Sequence, residues 1–152
     1  INNLRFYNNI FLNGNDEYLA DIKKKIKKIN PKININQGKY ILSNIESFNK
    51  KYNYLVFSGI GNHTTFVNML KNNNLNVIED LEYPDHYQYS KEDLDKIIEK
   101  AKKYNAKIIT TEKDYLRLDM FDKSKISFIK SSLQILDENN LLELLIGLYE
   151  KN

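Results

Sequence analysis

Pro84-Asp85-His86-Tyr87 sets a carboxylate beside an imidazole in a stretch stiffened by proline. Such a pair can move a proton near neutral pH, with Asp85 orienting or polarising the ring of His86. Adjacency does not force contact, so a surface loop with an incidental histidine is the other reading. Ser58-Gly59-Ile60-Gly61-Asn62 is a second candidate. Glycines between a strand and a helix let backbone approach a phosphate, and a helix start offers free N–H groups. No Gly-Lys-Ser/Thr follows, so this is not a Walker A loop, and a tight strand-to-helix turn also accounts for it. The third is Thr110-Thr111-Glu112-Lys113-Asp114, with Arg117 after it. Hydroxyls and a lysine at a strand end can hold phosphate oxygens, or the segment is a solvated charged turn. His63 sits at a turn without a carboxylate beside it and reads as structural.

These segments need elements to place them. Phe6 to Leu12 reads as a strand and Asn13-Gly14-Asn15 as a turn, with Asn15 capping a helix whose start carries Asp16 and Glu17. Leu19, Ile22, Ile26 and Ile29 recur at helical spacing, with lysines on the opposite face. Asn30-Pro31 stops that helix. A short strand Ile33–Ile35 follows, Gln37-Gly38 breaks it, and Lys39 to Leu42 is extended again. Tyr54 to Phe57 is a buried parallel-type strand, followed by a helix from about Thr64 to Asn72 with Phe66, Val67 and Leu70 inward. Asn76 to Ile78 is the next strand. Ser90 caps a helix, with Asp93 completing an approximate capping box and Leu94, Ile97, Ile98 and Ala101 as its buried stripe. Lys107 to Thr110 and Ile126 to Ile129 are strands, with a helical turn through Leu118 between them. Asn139 to Tyr149 is a last helix, with Leu141, Leu142, Leu145 and Leu148 on one face. This alternation predicts an α/β fold: a mainly parallel sheet flanked by helices, in three α/β/α layers. The candidate loops then lie at or near strand ends, where open α/β sheets collect ligands.

Composition narrows the chemistry. The chain has 152 residues and no cysteine, so disulfides, thiolate zinc sites, iron–sulfur clusters and cysteine nucleophiles are excluded. Two histidines are too few for a histidine-rich metal site. No run of about 18 apolar residues exists, so no helix spans a membrane. No signal peptide is visible, and the opening Ile1 suggests that the true start lies upstream. The 22 Asn, 21 Lys and 19 Ile against two Arg reflect AT-rich codons rather than function. Net charge is +3, but Lys23, Lys24, Lys25, Lys27, Lys28 and Lys32 supply it locally, and the remainder carries slightly more acid than base. That patch is a solvated helix face or a contact for anionic lipid headgroups. A nucleic-acid partner is not expected, because the basic residues are localised and arginine is scarce.

Taken as a set, Phe57-Ser-Gly-Ile-Gly-Asn62, Tyr83-Pro-Asp-His-Tyr-Gln-Tyr89 and Thr110-Thr-Glu-Lys-Asp-Tyr-Leu-Arg-Leu118 resemble the C-terminal half of the tetraacyldisaccharide 4'-kinase (lipid A 4'-kinase) family. Asn13-Gly14 with Asp16-Glu17 is similar to that family just after its nucleotide-binding half. The resemblance implies transfer of the ATP γ-phosphate to the 4'-hydroxyl of a tetraacyldisaccharide 1-phosphate, with Mg²⁺, at the cytoplasmic face of the bacterial inner membrane, as a peripheral protein. It also implies two α/β domains, of which this chain is roughly the second plus an edge of the P-loop kinase-like first. Residues 1–38 would be the remnant of the ATP-binding domain, 39–46 and 127–136 linker strands, 47–126 the C-terminal domain, and 137–152 a helix returning to the first domain. ATP and Mg²⁺ would be held mainly by the missing N-terminal P-loop half, with no metal site here. The implied catalytic residues are His86, assisting an aspartate from the other domain, and Asp85, holding or polarising its ring. Tyr87 stands where many members carry a second histidine. Gly59, Gly61, Asn62, Tyr89, Glu112 and Lys113 are the expected positioning residues for substrate or phosphate. Two other readings remain: a stand-alone α/β module for a phosphorylated small molecule, and an inactive fragment of a split reading frame.

Overall fold

The computed structural model describes residues 2–14, 16–118 and 121–150. The strands are β1 (Asn9–Asn13), β2 (Asn34–Leu42), β3 (Asn53–Ser58), β4 (Asn76–Glu82), β5 (Ala106–Thr111), β6 (Ile126–Ile129) and β7 (Ser131–Ile135). The helices are α1 (Asp16–Ile29), α2 (His63–Asn72), α3 (Lys91–Lys103), α4 (Glu112–Arg117) and α5 (Glu138–Tyr149). They divide into two compact units. One comprises residues up to Ile41 and those from Ser132 onward; the other is Leu42–Ser131. The architecture is α/β, with parallel strands and flanking helices.

In the first unit β2 lies between β1 and β7, and β1 and β2 run parallel. Two expectations change here. The strand expected from Phe6 begins at Asn9, because Asn2–Phe6 forms a short 3₁₀ helix. Gly38 does not break the chain but sits inside the continuous β2. A Cβ there would lie 2.7 Å from Phe11 Cζ and 3.0 Å from the Gln134 carbonyl oxygen. The glycine therefore permits close approach of neighbouring strands rather than a turn. The α1 stripe buries Leu19 and Ile26 most deeply. The expected Asn15 cap lies outside the described residues. On α5, Leu142, Leu145, Ile146 and Leu148 stay exposed.

The second unit carries a four-stranded parallel sheet in the order β4-β3-β5-β6. Alternate side chains of each strand point to opposite faces. Tyr54, Val56, Ile109 and Ile129 pack with Phe66, Val67 and Leu70 of α2. Leu55, Phe57, Ile108 and Ile126 pack with Leu94, Ile97 and Ala101 of α3. The unit therefore has three layers. Ser90 and Asp93 form the full capping box of α3. Asn74 and Asn105, just past the ends of α2 and α3, adopt φ of 64° and 48°. Asparagine tolerates this left-handed cap better than most residues. β4 extends beyond its expected end at Ile78, to Glu82.

Chain order makes β3 the first strand of this sheet. It leads outward to β4 on one side, and the chain then crosses back to β5 on the other. The carboxyl ends of β3 and β5 thus flank the point where the winding reverses, the usual crevice of open parallel sheets. The β3–β5 register stops at Val56 opposite Ile109. Beyond it the Thr110 hydroxyl donates to the Phe57 carbonyl at 2.7 Å. A side chain replaces the backbone ladder, and the strands part.

Candidate functional site

The loops that follow β3, β4 and β5 meet at this crevice. Asp114 is fully buried. Its Oδ2 accepts the Gly59 N–H at 3.1 Å and the Thr111 hydroxyl at 2.6 Å, while Oδ1 accepts from Arg117 at 3.0 Å. Thr111 caps α4 in return, accepting the Asp114 N–H at 3.1 Å. Local sequence explains the arrangement: threonine with an acid three residues on is a capping-box spacing. The helix start thereby turns one carboxylate inward against the β3 loop.

His86 stands above this base. Tyr87 N–H donates to the Pro84 carbonyl at 3.1 Å, closing a β-turn. His86 takes the third position with φ of 62°, the sign a type II turn demands there. Its N–H donates to the Gly59 carbonyl at 3.0 Å. Its ring is exposed, and Nδ1 lies 3.0 Å from Arg117 Nη2. The Asp85 carboxylate, expected to hold the ring, is 3.8 Å from Nε2, beyond hydrogen-bond reach. Arg117, 31 positions away, takes the direct contact instead.

The remaining expected residues have other surroundings. Gly59 is buried, and a Cβ there would lie 3.0 Å from the Pro84 carbonyl oxygen and 3.1 Å from Tyr87 Cβ. Its N–H is committed to Asp114, so it does not offer a phosphate cradle. Gly61 is exposed, with Asp85 the nearest neighbour of its missing Cβ. Asn62 caps α2, accepting the Thr65 N–H at 3.0 Å. Tyr89 is buried among Phe57, Tyr83 and Tyr87, and its hydroxyl has no hydrogen-bond partner among the described residues. Burial, then the charge of the Asp114 carboxylate toward which the hydroxyl lies, push its phenol well above the ordinary tyrosine value. Glu112 is half-buried and Lys113 exposed. Tyr87, the departure from the double histidine, packs on Tyr83 and donates to Asp93 at 3.2 Å.

His63 does have a carboxylate, contrary to its reading from sequence. It is buried between Ser58 Oγ, 2.7 Å from Nδ1, and Asp80 Oδ1, 3.0 Å from Nε2. Asp80 accepts from Nε2–H, and in the neutral ring Ser58 then donates to Nδ1. Ser58 is fully buried, so its hydroxyl is no accessible nucleophile. The chain Ser58–His63–Asp80 ties the end of β3 and the start of α2 to β4.

The described residues do not assemble a nucleotide-metal centre. Among the described residues no three carboxylate or imidazole groups gather as metal ligands. In the glycine turn after β3, the space at Gly59 is taken by Pro84, Tyr87 and Tyr89. No described helix is long and apolar enough to cross a membrane.

Fold and site define an open parallel α/β domain with an exposed imidazole clamped at its winding-reversal crevice. Residues 4–150 match the family model for tetraacyldisaccharide-1-P 4'-kinase, and the chain belongs to that family. It is 66% identical over 152 residues to the tetraacyldisaccharide 4'-kinase of Pelagibacter ubique, covering all of this chain and 48% of that one. The Rickettsia canadensis 4'-kinase is 39% identical over 104 residues, 68% of this chain and 29% of that one. The chain thus spans about half the length of the P. ubique relative. The crystal structure of LpxK from Aquifex aeolicus in complex with ATP aligns with a TM-score of 0.50 at 19% identity, over 93% of this chain and 52% of that one. At that identity the likeness speaks for the fold.

Proposed function

We propose that this chain is the C-terminal portion of an ATP-dependent kinase that phosphorylates the 4'-hydroxyl of tetraacyldisaccharide 1-phosphate in lipid A biosynthesis. In this reading the Leu42–Ser131 unit presents His86 to the acceptor hydroxyl, and ATP and Mg²⁺ are held by an N-terminal P-loop half. The enzyme works as a peripheral protein on the cytoplasmic face of the inner membrane. One observation carries the site assignment: an exposed imidazole is fixed at the sheet's winding-reversal crevice by backbone and guanidinium contacts. Phosphoryl transfer depends mostly on positioning and charge stabilisation, so a second domain that delivers one oriented ring is a sensible division of work. His86 then assists an aspartate base from the other half. A stand-alone phosphate-binding module is less well supported, because Gly59 has already given its N–H to Asp114.

The test uses the enzyme with both halves present. His86→Ala should lower turnover by at least about tenfold, with ATP affinity little changed. Unaltered turnover would remove His86 from the reaction.

A further inference from the structure

The structure assigns Arg117 as the positioning residue that fixes the ring tautomer of His86, leaving Nε2–H as its outward-facing group. This rests on the reading of His86 given above.

The geometry leaves the ring little choice. A guanidinium only donates hydrogen bonds, so His86 Nδ1, 3.0 Å from Arg117 Nη2, must be the acceptor. The ring proton then lies on Nε2. The Asp85 carboxylate, 3.8 Å away, lies beside that atom but too far to accept a hydrogen bond from it, so the proton remains available to a closer acceptor. In free solution a neutral imidazole exchanges between two tautomers, and only one presents a donor at Nε2. A donor there can steady a carboxylate brought from another domain; the opposite tautomer would present a lone pair to it.

Arg117 is itself held. Its Nη1 donates to Asp114 Oδ1 at 3.0 Å and to the Gly59 carbonyl at 3.1 Å. That same carbonyl accepts the His86 N–H. One planar fork therefore spans a buried anion, the β3 loop and the imidazole. Asp114 grips the β3 loop from the other side through the Gly59 N–H. The left-handed backbone of His86 is sterically unfavourable for a side-chain-bearing residue, so it needs this surrounding support. A lysine could neutralise Asp114, but a single ammonium cannot span all three acceptors in one plane.

The experiment combines kinetics with ring-nitrogen NMR on the enzyme carrying both halves. In wild type, the ¹⁵N signals of His86 should show the Nε2–H form. Arg117→Ala should mix the tautomers and lower kcat by about tenfold with KM for ATP unchanged. Arg117→Lys, which keeps charge beside Asp114, should not restore either readout; it also serves if Arg117→Ala does not fold. The double variant Arg117→Ala/His86→Ala should be no slower than His86→Ala alone, because Arg117 acts through the ring. A wild-type Nδ1–H form, an unmixed tautomer in both Arg117 variants, or additive kinetic losses would overturn the assignment. If His86→Ala retains full turnover, the kinase-site reading falls, and the NMR arm still decides the Arg117 inference by itself.

Discussion

Replacing Asp114 by alanine should be the most damaging single change in the Leu42–Ser131 unit. The carboxylate is fully buried and accepts from Gly59, Thr111 and Arg117. Its removal leaves a guanidinium, 19% exposed, without its buried counter-ion, and a buried Gly59 N–H without an acceptor. Breaking a buried ion pair from one side costs about 3–5 kcal/mol. Arg117 keeps the Gly59 carbonyl and its remaining exposure admits some water, so the loss should fall near the low end, about 3 kcal/mol. Against a total stability of about 5–15 kcal/mol, that is a large share. In a chain of this size it corresponds to roughly 10 °C in Tm. Urea unfolding followed by far-ultraviolet circular dichroism gives the difference directly, with Lys113→Ala, on the exposed side of the same helix, as a near-neutral control. Asp114→Asn keeps the shape and an acceptor oxygen and should lose less. A loss below about 1 kcal/mol for Asp114→Ala, indistinguishable from the control, would refute the reasoning, since it would mean the pair was never desolvated.

Four further outcomes follow from the packing. Tyr89→Phe removes a buried hydroxyl that lies toward the Asp114 carboxylate without a well-formed hydrogen bond, so stability at neutral pH should change by less than about 1 kcal/mol; a larger loss in urea unfolding would show that the hydroxyl is satisfied. The Tyr89 phenol is raised in the folded chain, so wild-type stability should hold below about pH 10 and fall as pH rises through that range, a fall that a pH series on Tyr89→Phe should show reduced. Asp93 is lowered by the N–H and hydroxyl of Ser90, so the α3 cap contributes above the unfolded carboxylate value and is lost as pH falls below about 4; Ser90→Ala should cost about 1 kcal/mol at neutral pH and weaken that acid dependence, and a parallel acid limb would count against it. Gly38→Ala should destabilise the first unit by about 1–3 kcal/mol in urea unfolding, because the Gln134 carbonyl is backbone and cannot swing aside as Phe11 can; unchanged stability would show that the strands have room.

Local rules carried far in this chain, and they stopped where contact became non-local. The Ser90–Asp93 box, the inward stripe of α2 and the continuous apolar run of β3 are all encoded within a few residues, and each is found in place. Gly38 misled because a glycine that breaks a strand and one that lets strands close together look identical in sequence; only the side chain of Phe11 and the backbone at Gln134 tell them apart. The site repeats this lesson more sharply. Asp85 is next to His86 in sequence and is the natural partner, yet its carboxylate stays 3.8 Å from the ring, close enough to act on it electrostatically and too far for a hydrogen bond. The partner that does touch the ring is 31 residues on. His63 likewise finds its carboxylate on β4, 17 residues away, where the parallel sheet brings Asp80 alongside the end of β3. One signal for the clamp was nevertheless present. Thr111 and Asp114 have capping-box spacing, and Arg117 follows Asp114 by three residues, which places a cation and an anion on one face of any helix. An acid capped into a helix start at the carboxyl end of a central parallel strand faces the crevice by construction. Its arginine must then reach across that crevice. The exposed histidine on the adjoining loop is the group it meets there, so Asp114 and Arg117 are the members of that segment that tie it to the ring of His86.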